Sequence, residues 1–390
     1  MRKISADLIF TGHEFVSGIS LCVNEEGRID GFLYGAPPET TEFHKGILVP
    51  GFVNAHCHLE LSYLKGKIPP KEGLDSFIGN IQKLRTHKPS DLEEILKRED
   101  QNMWKEGIVA VGDIVNDISS LKVKTETSKI YYHSFIEVFA FLPARAHQAF
   151  QQGVNIYGRF LQHYPNTQVS VTPHAPYSAS SDLLRLIAAF AKEHASILSM
   201  HNQENEDENV LFQEGKGPVL DRLKEFGIDT SFWMPTGKSA LKSTIGHLPE
   251  ENKILLVHNT VSTPDDINYA QSVSKNLYWC LCPNANLYIE DRLPDYNLFK
   301  DLRVTIGTDS LASNDSLSIL AELKVINKAA PFIPLEKLIR WATYNGAEFL
   351  GIQHKFGSFI KGEKPGVNLI GNLDMENLRL KSESSVERLA

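Results

Sequence analysis

Eight short apolar runs of β type lie at 52–58, 108–115, 130–140, 168–174, 197–201, 253–258, 277–283 and 304–309. Helix-period segments separate most of them, at 75–105, 143–163, 181–194, 207–226, 263–274 and 316–328. This alternation constrains the fold more than any other feature of the chain. Runs that are apolar throughout belong to strands covered on both faces, as in a parallel sheet with crossover helices. Eight such units over roughly 300 residues predict an α/β fold, a (β/α)8 TIM-type barrel with insertions. The competing architecture is an open doubly wound sheet. Such sheets usually carry a Gly-rich phosphate turn after the first strand, and here His56-Cys57-His58 takes that place. Gly215-Lys-Gly-Pro218 looks phosphate-like but lacks the rest of a P-loop, and reads as a turn that interrupts a helix. Ser90-Asp-Leu-Glu93, Ser180-Ser-Asp-Leu183 and Thr263-Pro-Asp-Asp266 have the residue types of helix N-termini.

The two ends of the chain read differently. Residues 1–45 form short β-type runs, with Leu21–Val23 and Ile29–Tyr34 flanking a hairpin-like turn. From Gly357 the sequence returns to β-type and turn-rich character, so the two ends are expected to pair in a small second domain. The polar tail from Lys381 is expected to fray.

Composition narrows the partners. A formal charge of −8 argues against a nucleic-acid-binding surface and fits a protein that handles small molecules. No apolar run approaches membrane-spanning length, and Leu8–Phe10 is too short for a signal-peptide core. The four cysteines (Cys22, Cys57, Cys280, Cys282) form no Cys-x-x-Cys pair, which fits a reducing cytoplasm. A soluble cytoplasmic protein is expected.

In a strand, residues i and i+2 project from one face, so His56 and His58 point toward one atom, a half-site for a metal. Catalytic groups of a (β/α)8 barrel sit at the C-terminal strand ends. Run four ends in His174, run five in His201-Asn-Gln-Glu204, run six in His258 and run eight in Asp309-Ser310. A single strand-end histidine is more often structural than a ligand. Five on four strands, with an aspartate, are hard to explain as packing. Glu204 falls just past its strand, where a carboxylate can overhang a metal without binding it. The acidic stretch Asn205–Glu208 reads as an N-cap and first helical turn.

At this point the chain resembles the amidohydrolase superfamily, in its mononuclear-metal deaminase branch, which includes guanine, cytosine, S-adenosylhomocysteine and aminodeoxyfutalosine deaminases. The likeness rests on Pro50-Gly-Phe-Val-Asn-Ala-His-Cys-His58, Pro173-His-Ala-Pro-Tyr-Ser178, His201-x-x-Glu204, His258, Cys282-Pro-Asn-Ala-Asn286, Gly307-Thr-Asp-Ser310 and Ala342-Thr-Tyr-Asn-Gly-Ala347, in this order. It implies a small β-sandwich domain formed by both termini, 1–48 plus 357–390, and a metal-dependent catalytic barrel over 49–356. It implies His56, His58, His201 and Asp309 as metal ligands, with Glu204, His258 and Asp309 as catalytic proton-transfer groups. Binuclear members carry a bridging lysine at the end of strand four. Run four has none, so one divalent ion is expected, Zn2+ first with Fe2+ or Mn2+ as alternatives. Three imidazoles and a carboxylate leave room for a water, whose pKa a bound Zn2+ lowers to about 7. The resemblance thus implies hydrolytic deamination at a ring C–NH2.

On the substrate side the resemblance implies His174 as a contact, and Ser310, Glu60 and Trp233 join it as candidates. Glu60 and the stretch 308–314 are similar to aminodeoxyfutalosine deaminases, which favours an adenine nucleoside derivative. Glu60 could equally bond the loop backbone. Trp233, in Phe232-Trp-Met-Pro235, is either a lid residue or part of a packed loop cluster. The chain departs from the family pattern at Lys364-Pro-Gly-Val-Asn368, which touches the small domain and not the chemistry. The competing functions are an amidohydrolase that opens a cyclic amide or displaces another leaving group, and a binding protein with a vestigial metal site. The expected partner is a small heterocyclic substrate, with no nucleic acid and no membrane, and homo-oligomerisation stays open.

Overall fold

The computed structural model describes residues 1–35, 40–165 and 168–390. Eight parallel strands follow the predicted runs: β1 (Phe52–Cys57), β2 (Ile108–Val115), β3 (Tyr131–Val138), β4 (Val169–Pro173), β5 (Leu198–Asn202), β6 (Ile254–His258), β7 (Leu277–Leu281) and β8 (Val304–Ile306). They form two four-stranded sheets, in the orders β1-β2-β3-β4 and β5-β6-β7-β8. Almost every residue in them is buried, as strands covered on both faces require.

The sheets meet along two seams that are bridged but not laddered. At one, His201 N donates to His174 O at 2.9 Å, while the Thr172 hydroxyl takes the Ser199 N–H at 2.8 Å. A side chain there intercepts a main-chain donor that a ladder would use. At the other, Thr308 N and Asp309 N both donate to His56 O, at 3.0 and 3.2 Å, and Cys57 bridges Asp309. Gly307 stands at this seam because any Cβ would come within 2.8 Å of the His56 Cβ and the Cys280 Sγ.

The helices separate into more pieces than their periodicity predicts. The 75–105 segment becomes Gly73–Leu84 and Leu92–Lys105, and the 207–226 segment becomes Glu206–Glu214 and Pro218–Glu225 with the Gly215–Pro218 turn between them. The Ser180 and Thr263 side chains cap their helices, the latter in a full capping box. The cap expected at Ser90 does not form: the N-cap residue is Asp91 and it makes no side-chain bond. Among the described residues no helix is long and apolar enough to cross a membrane.

Both termini enter one seven-stranded sheet of order Ser385–Arg388, Val367–Gly371, Glu42–Pro50, Arg2–Phe10, Ile19–Val23, Ile29–Tyr34, with Phe15–Val16 beside Arg2–Phe10. The tail therefore does not fray where the sequence predicts it. Ser385–Arg388 pairs with Val367–Gly371, and Arg388 donates to Trp104 O and Ile108 O with its guanidinium 3.5 Å from the Trp104 ring centre. The strand Glu42–Pro50 runs through Gly51 directly into β1. A Cβ on Gly51 would lie 2.2 Å from a Val109 methyl, so the junction admits only glycine. The terminal sheet thus anchors the start of the strand that carries the His-x-His pair.

Candidate metal centre and active site

The strand ends converge. His56 is the last residue but one of β1, fully buried, and His58 is the N-cap of the short 3-10 helix Leu59–Leu64. Their Nε2 atoms are 3.1 Å apart, and Asp309 Oδ1 lies 3.5 Å from the first and 3.2 Å from the second. His201 on β5 and His258 at the end of β6 complete the group. Ligating atoms of His56, His201, His258 and Asp309 all fall within 4.8 Å of one another. Asp309 and His258 hold left-handed backbone, with φ of 57° and 75°, as does Asn259 at 57°. Such conformations cost about 1–3 kcal/mol each in residues other than glycine and cluster where function over-determines them. Here the Asn259 side chain ties its own turn to Leu256 O and Cys280 O.

Burial decides the charge states. Burial pushes the His56 imidazole down to about 4 and His201 well below its ordinary value, so both are neutral donors. Burial opposes charge on His58 as well, but the hydrogen bond and the negative charge of Asp309 outweigh it and raise His58 to about 9. The Asp309 carboxyl is pulled well below its usual range, because bonds from His56 and His58 overcome its own burial. Two imidazole nitrogens facing each other at 3.1 Å beside a carboxylate need a proton or a cation between them. The neutral His56 and His201 imidazoles and the Asp309 carboxylate fit a divalent transition metal, which would take the place of the His58 proton.

One further group, Glu204, stands over this cluster beside His258. Glu204 Oε1 is 3.7 Å from His258 Nε2. Burial, then the charges of Asp309 and Glu290, raise Glu204 well above its ordinary value, which favours its protonated form. Its backbone turn is clamped by Glu208, which accepts from Gln203 N at 3.2 Å and Glu204 N at 2.7 Å. His258 donates from Nδ1 to Asn286 Oδ1 at 2.8 Å, which leaves Nε2 to face Glu204. Below, Asp113 Oδ1 accepts the Leu59 N–H at 2.8 Å while its other oxygen pairs with Lys124 at 2.6 Å, both side chains fully buried. This pair fixes the turn that carries His58. Losing either partner would cost about 3–5 kcal/mol.

The cluster forms the floor of a cavity of about 430 Å³, a volume suited to a small molecule. His58, His201, Glu204, His258, Asp309, His174 and Ser310 all line it. His174 Nδ1 is bonded to Ser178 Oγ at 2.7 Å, and Ser310 Oγ accepts from Ala312 N at 3.2 Å. Two sequence candidates fall elsewhere. Glu60 is buried outside the cavity wall, where Oε1 accepts the Asn116 N–H at 2.8 Å, so the loop-backbone reading describes it. Trp233 does not line the cavity either: its ring packs against Phe141 and Phe212, its Nε1 donates to Leu211 O, and Phe141 forms the wall instead. The outer walls are apolar, with Leu61, Phe77, Ile81, Val219, Leu223 and Phe226. Six polar lining residues went unread in the sequence: Asp75, Gln82, Arg85, Asn116, Glu137 and Arg222. Glu137 had a signal, an acid in an apolar run one residue from a strand end.

The sequence profile of the amidohydrolase family matches residues 47–378. An adenosine deaminase of Helicobacter pylori is 25% identical over 326 residues, covering 80% of this chain and 76% of that protein. An aminodeoxyfutalosine deaminase of Deinococcus radiodurans is 24% identical over 379 residues, 90% and 86% of the two chains. The crystal structure of Helicobacter pylori aminofutalosine deaminase in complex with methylthio-coformycin superposes with a TM-score of 0.80 at 20% identity, over 96% of this chain and 93% of that one.

Proposed function

The chain belongs to the amidohydrolase family, and on that premise we propose that it is a metal-dependent hydrolytic deaminase of an aminated heterocycle, an adenine nucleoside derivative. The carrying observation is the meeting of His56, His58, His201 and Asp309 beneath Glu204, whose Oε1 lies 3.7 Å from His258 Nε2. The deaminase names of its relatives support the substrate class. The reading takes the two four-stranded sheets as halves of one (β/α)8 barrel over 49–356, with 1–48 and 357–390 as a β-sandwich domain.

His56, His58, His201 and Asp309 would hold the ion, Zn2+ by the chemistry of the donor set. When bound, such an ion supplies Lewis acidity that makes water a nucleophile near neutral pH. Glu204 donates its proton to the ring nitrogen beside the amino-bearing carbon, which makes that carbon electrophilic. His258 Nε2 orients the attacking water. Asp309 accepts one water proton and passes it to the amino group; the C–N bond breaks and ammonia leaves, while the second water proton returns to Glu204 and the ring keeps a carbonyl. Each general acid–base step is worth about 10²–10⁴-fold. The apolar upper walls exclude bulk water and strengthen every charge interaction at the floor.

Ammonia release from a panel of purine nucleosides, free bases, pterins and cyclic amides tests the proposal. Turnover confined to aminated rings is expected. Ring opening of a cyclic amide without ammonia release would replace deamination with amide hydrolysis.

A further inference from the structure

Glu137 is a buried acid that the chemistry above does not use. It lies near the end of β3 and faces the cavity, with its side chain 4% exposed. One oxygen is anchored: Oε2 accepts from Asn116 Nδ2 at 3.0 Å, and Asn116 Oδ1 in turn accepts from the Arg85 guanidinium at 3.1 Å. The other oxygen, Oε1, has no hydrogen-bond partner. It is 3.6 Å from His201 Nδ1, beyond hydrogen-bond range, and that N–H is already committed to His174 O at 2.9 Å. A buried acceptor left open on a cavity wall is costly unless a ligand fills it. The anchoring chain through Asn116 fixes where that ligand's donor must sit.

We infer that Glu137 Oε1 accepts a hydrogen bond from the 2′- or 3′-hydroxyl of the substrate's sugar, so that the site selects nucleosides over free bases. This rests on the deaminase reading. If the ring amidine edge lies against Glu204, the donors remaining on an adenine nucleoside are its ribose hydroxyls. The wall across which they would extend carries Glu137, beside His174, whose ring lies 4.9 Å from that of His201. Of the other acceptors on the walls, both Asp75 oxygens are already taken by Arg222 and Asn116 Oδ1 by Arg85. Glu137 is therefore a substrate-binding residue. A role limited to orienting His201 would give it no dependence on the sugar.

The test pairs a substitution with a substrate deletion in the full-length, metal-loaded enzyme. Adenosine and 2′,3′-dideoxyadenosine are compared by kcat/KM in wild type and Glu137→Ala, with metal content measured alongside. In wild type, losing the hydroxyls should cost about 10–100-fold, the range of one hydrogen bond to a charged group. In Glu137→Ala that ratio should collapse toward one, with metal retained. Calorimetric binding of inosine and 2′,3′-dideoxyinosine, which needs no turnover, should show the same collapse. An unchanged ratio in the variant, or loss of metal from it, overturns the inference while the deaminase reading stands. Absence of ammonia release from every aminated member of the panel in wild type overturns both.

Discussion

The floor and the upper walls of one cavity are built on opposite principles. On the floor, His56, His201, His258 and Asp309 are charged or polar groups forced together in a dry interior, two of them on left-handed backbone. The upper walls use ordinary apolar side chains, Leu61, Phe77, Ile81 and Leu223 among them, from the helices and loops above the strands. The floor spends folding free energy to hold a chemical constellation, whereas the walls gain it by burial. It follows that floor substitutions should act on turnover and metal, and wall substitutions on affinity.

The sharpest separation is expected from Glu204→Gln. It should lower kcat by about 10²–10⁴-fold with metal content unchanged. A variant that kept wild-type turnover would move the acid elsewhere. Next comes Asn286→Ala, which frees the His258 ring from its 2.8 Å bond. Outer-shell partners of this kind are worth about 10–100-fold in activity, to be read in kcat with KM nearly constant. The smallest effect is expected from Phe77→Ala on the wall. Its lost apolar contact, about 1–2 kcal/mol, should raise KM by roughly tenfold and leave kcat within about twofold. A wall substitution that lowered kcat as much as Asn286→Ala would erase the distinction between floor and walls.

The same contrast sets what the sequence could reveal. The floor was legible because strand ends are focused by the fold, so His56, His58, His174, His201, His258 and Asp309 announce themselves by type and position. Glu137 obeys the same rule yet hides inside the run Phe135-Ile-Glu-Val-Phe139, where its neighbours are apolar. The walls were not legible. Phe77 and Leu223 are helix residues whose apolar character is that of any core-facing position, and only packing shows that they face a cavity. Trp233 illustrates the converse, an aromatic that the sequence leaves open between lid and packed cluster and that packs against Phe141 without lining the cavity. Glu60 shows why adjacency misleads: it follows His58 by two positions, but the helical turn Leu59–Leu64 swings it away toward Asn116. At the termini, polar residues 381–390 gave no sign that backbone pairing and the stacking of Arg388 on Trp104 would order them.

The central claim is that side chains from distant strand ends share one cation. Metal analysis of the purified chain, with His201→Ala and Asp309→Ala measured beside it and circular dichroism confirming that each is folded, tests this most directly. About one equivalent of divalent metal in the wild type, lost from both folded variants, is the expected result. Less than about half an equivalent after supplementation, or full metal retained by either variant, would contradict it.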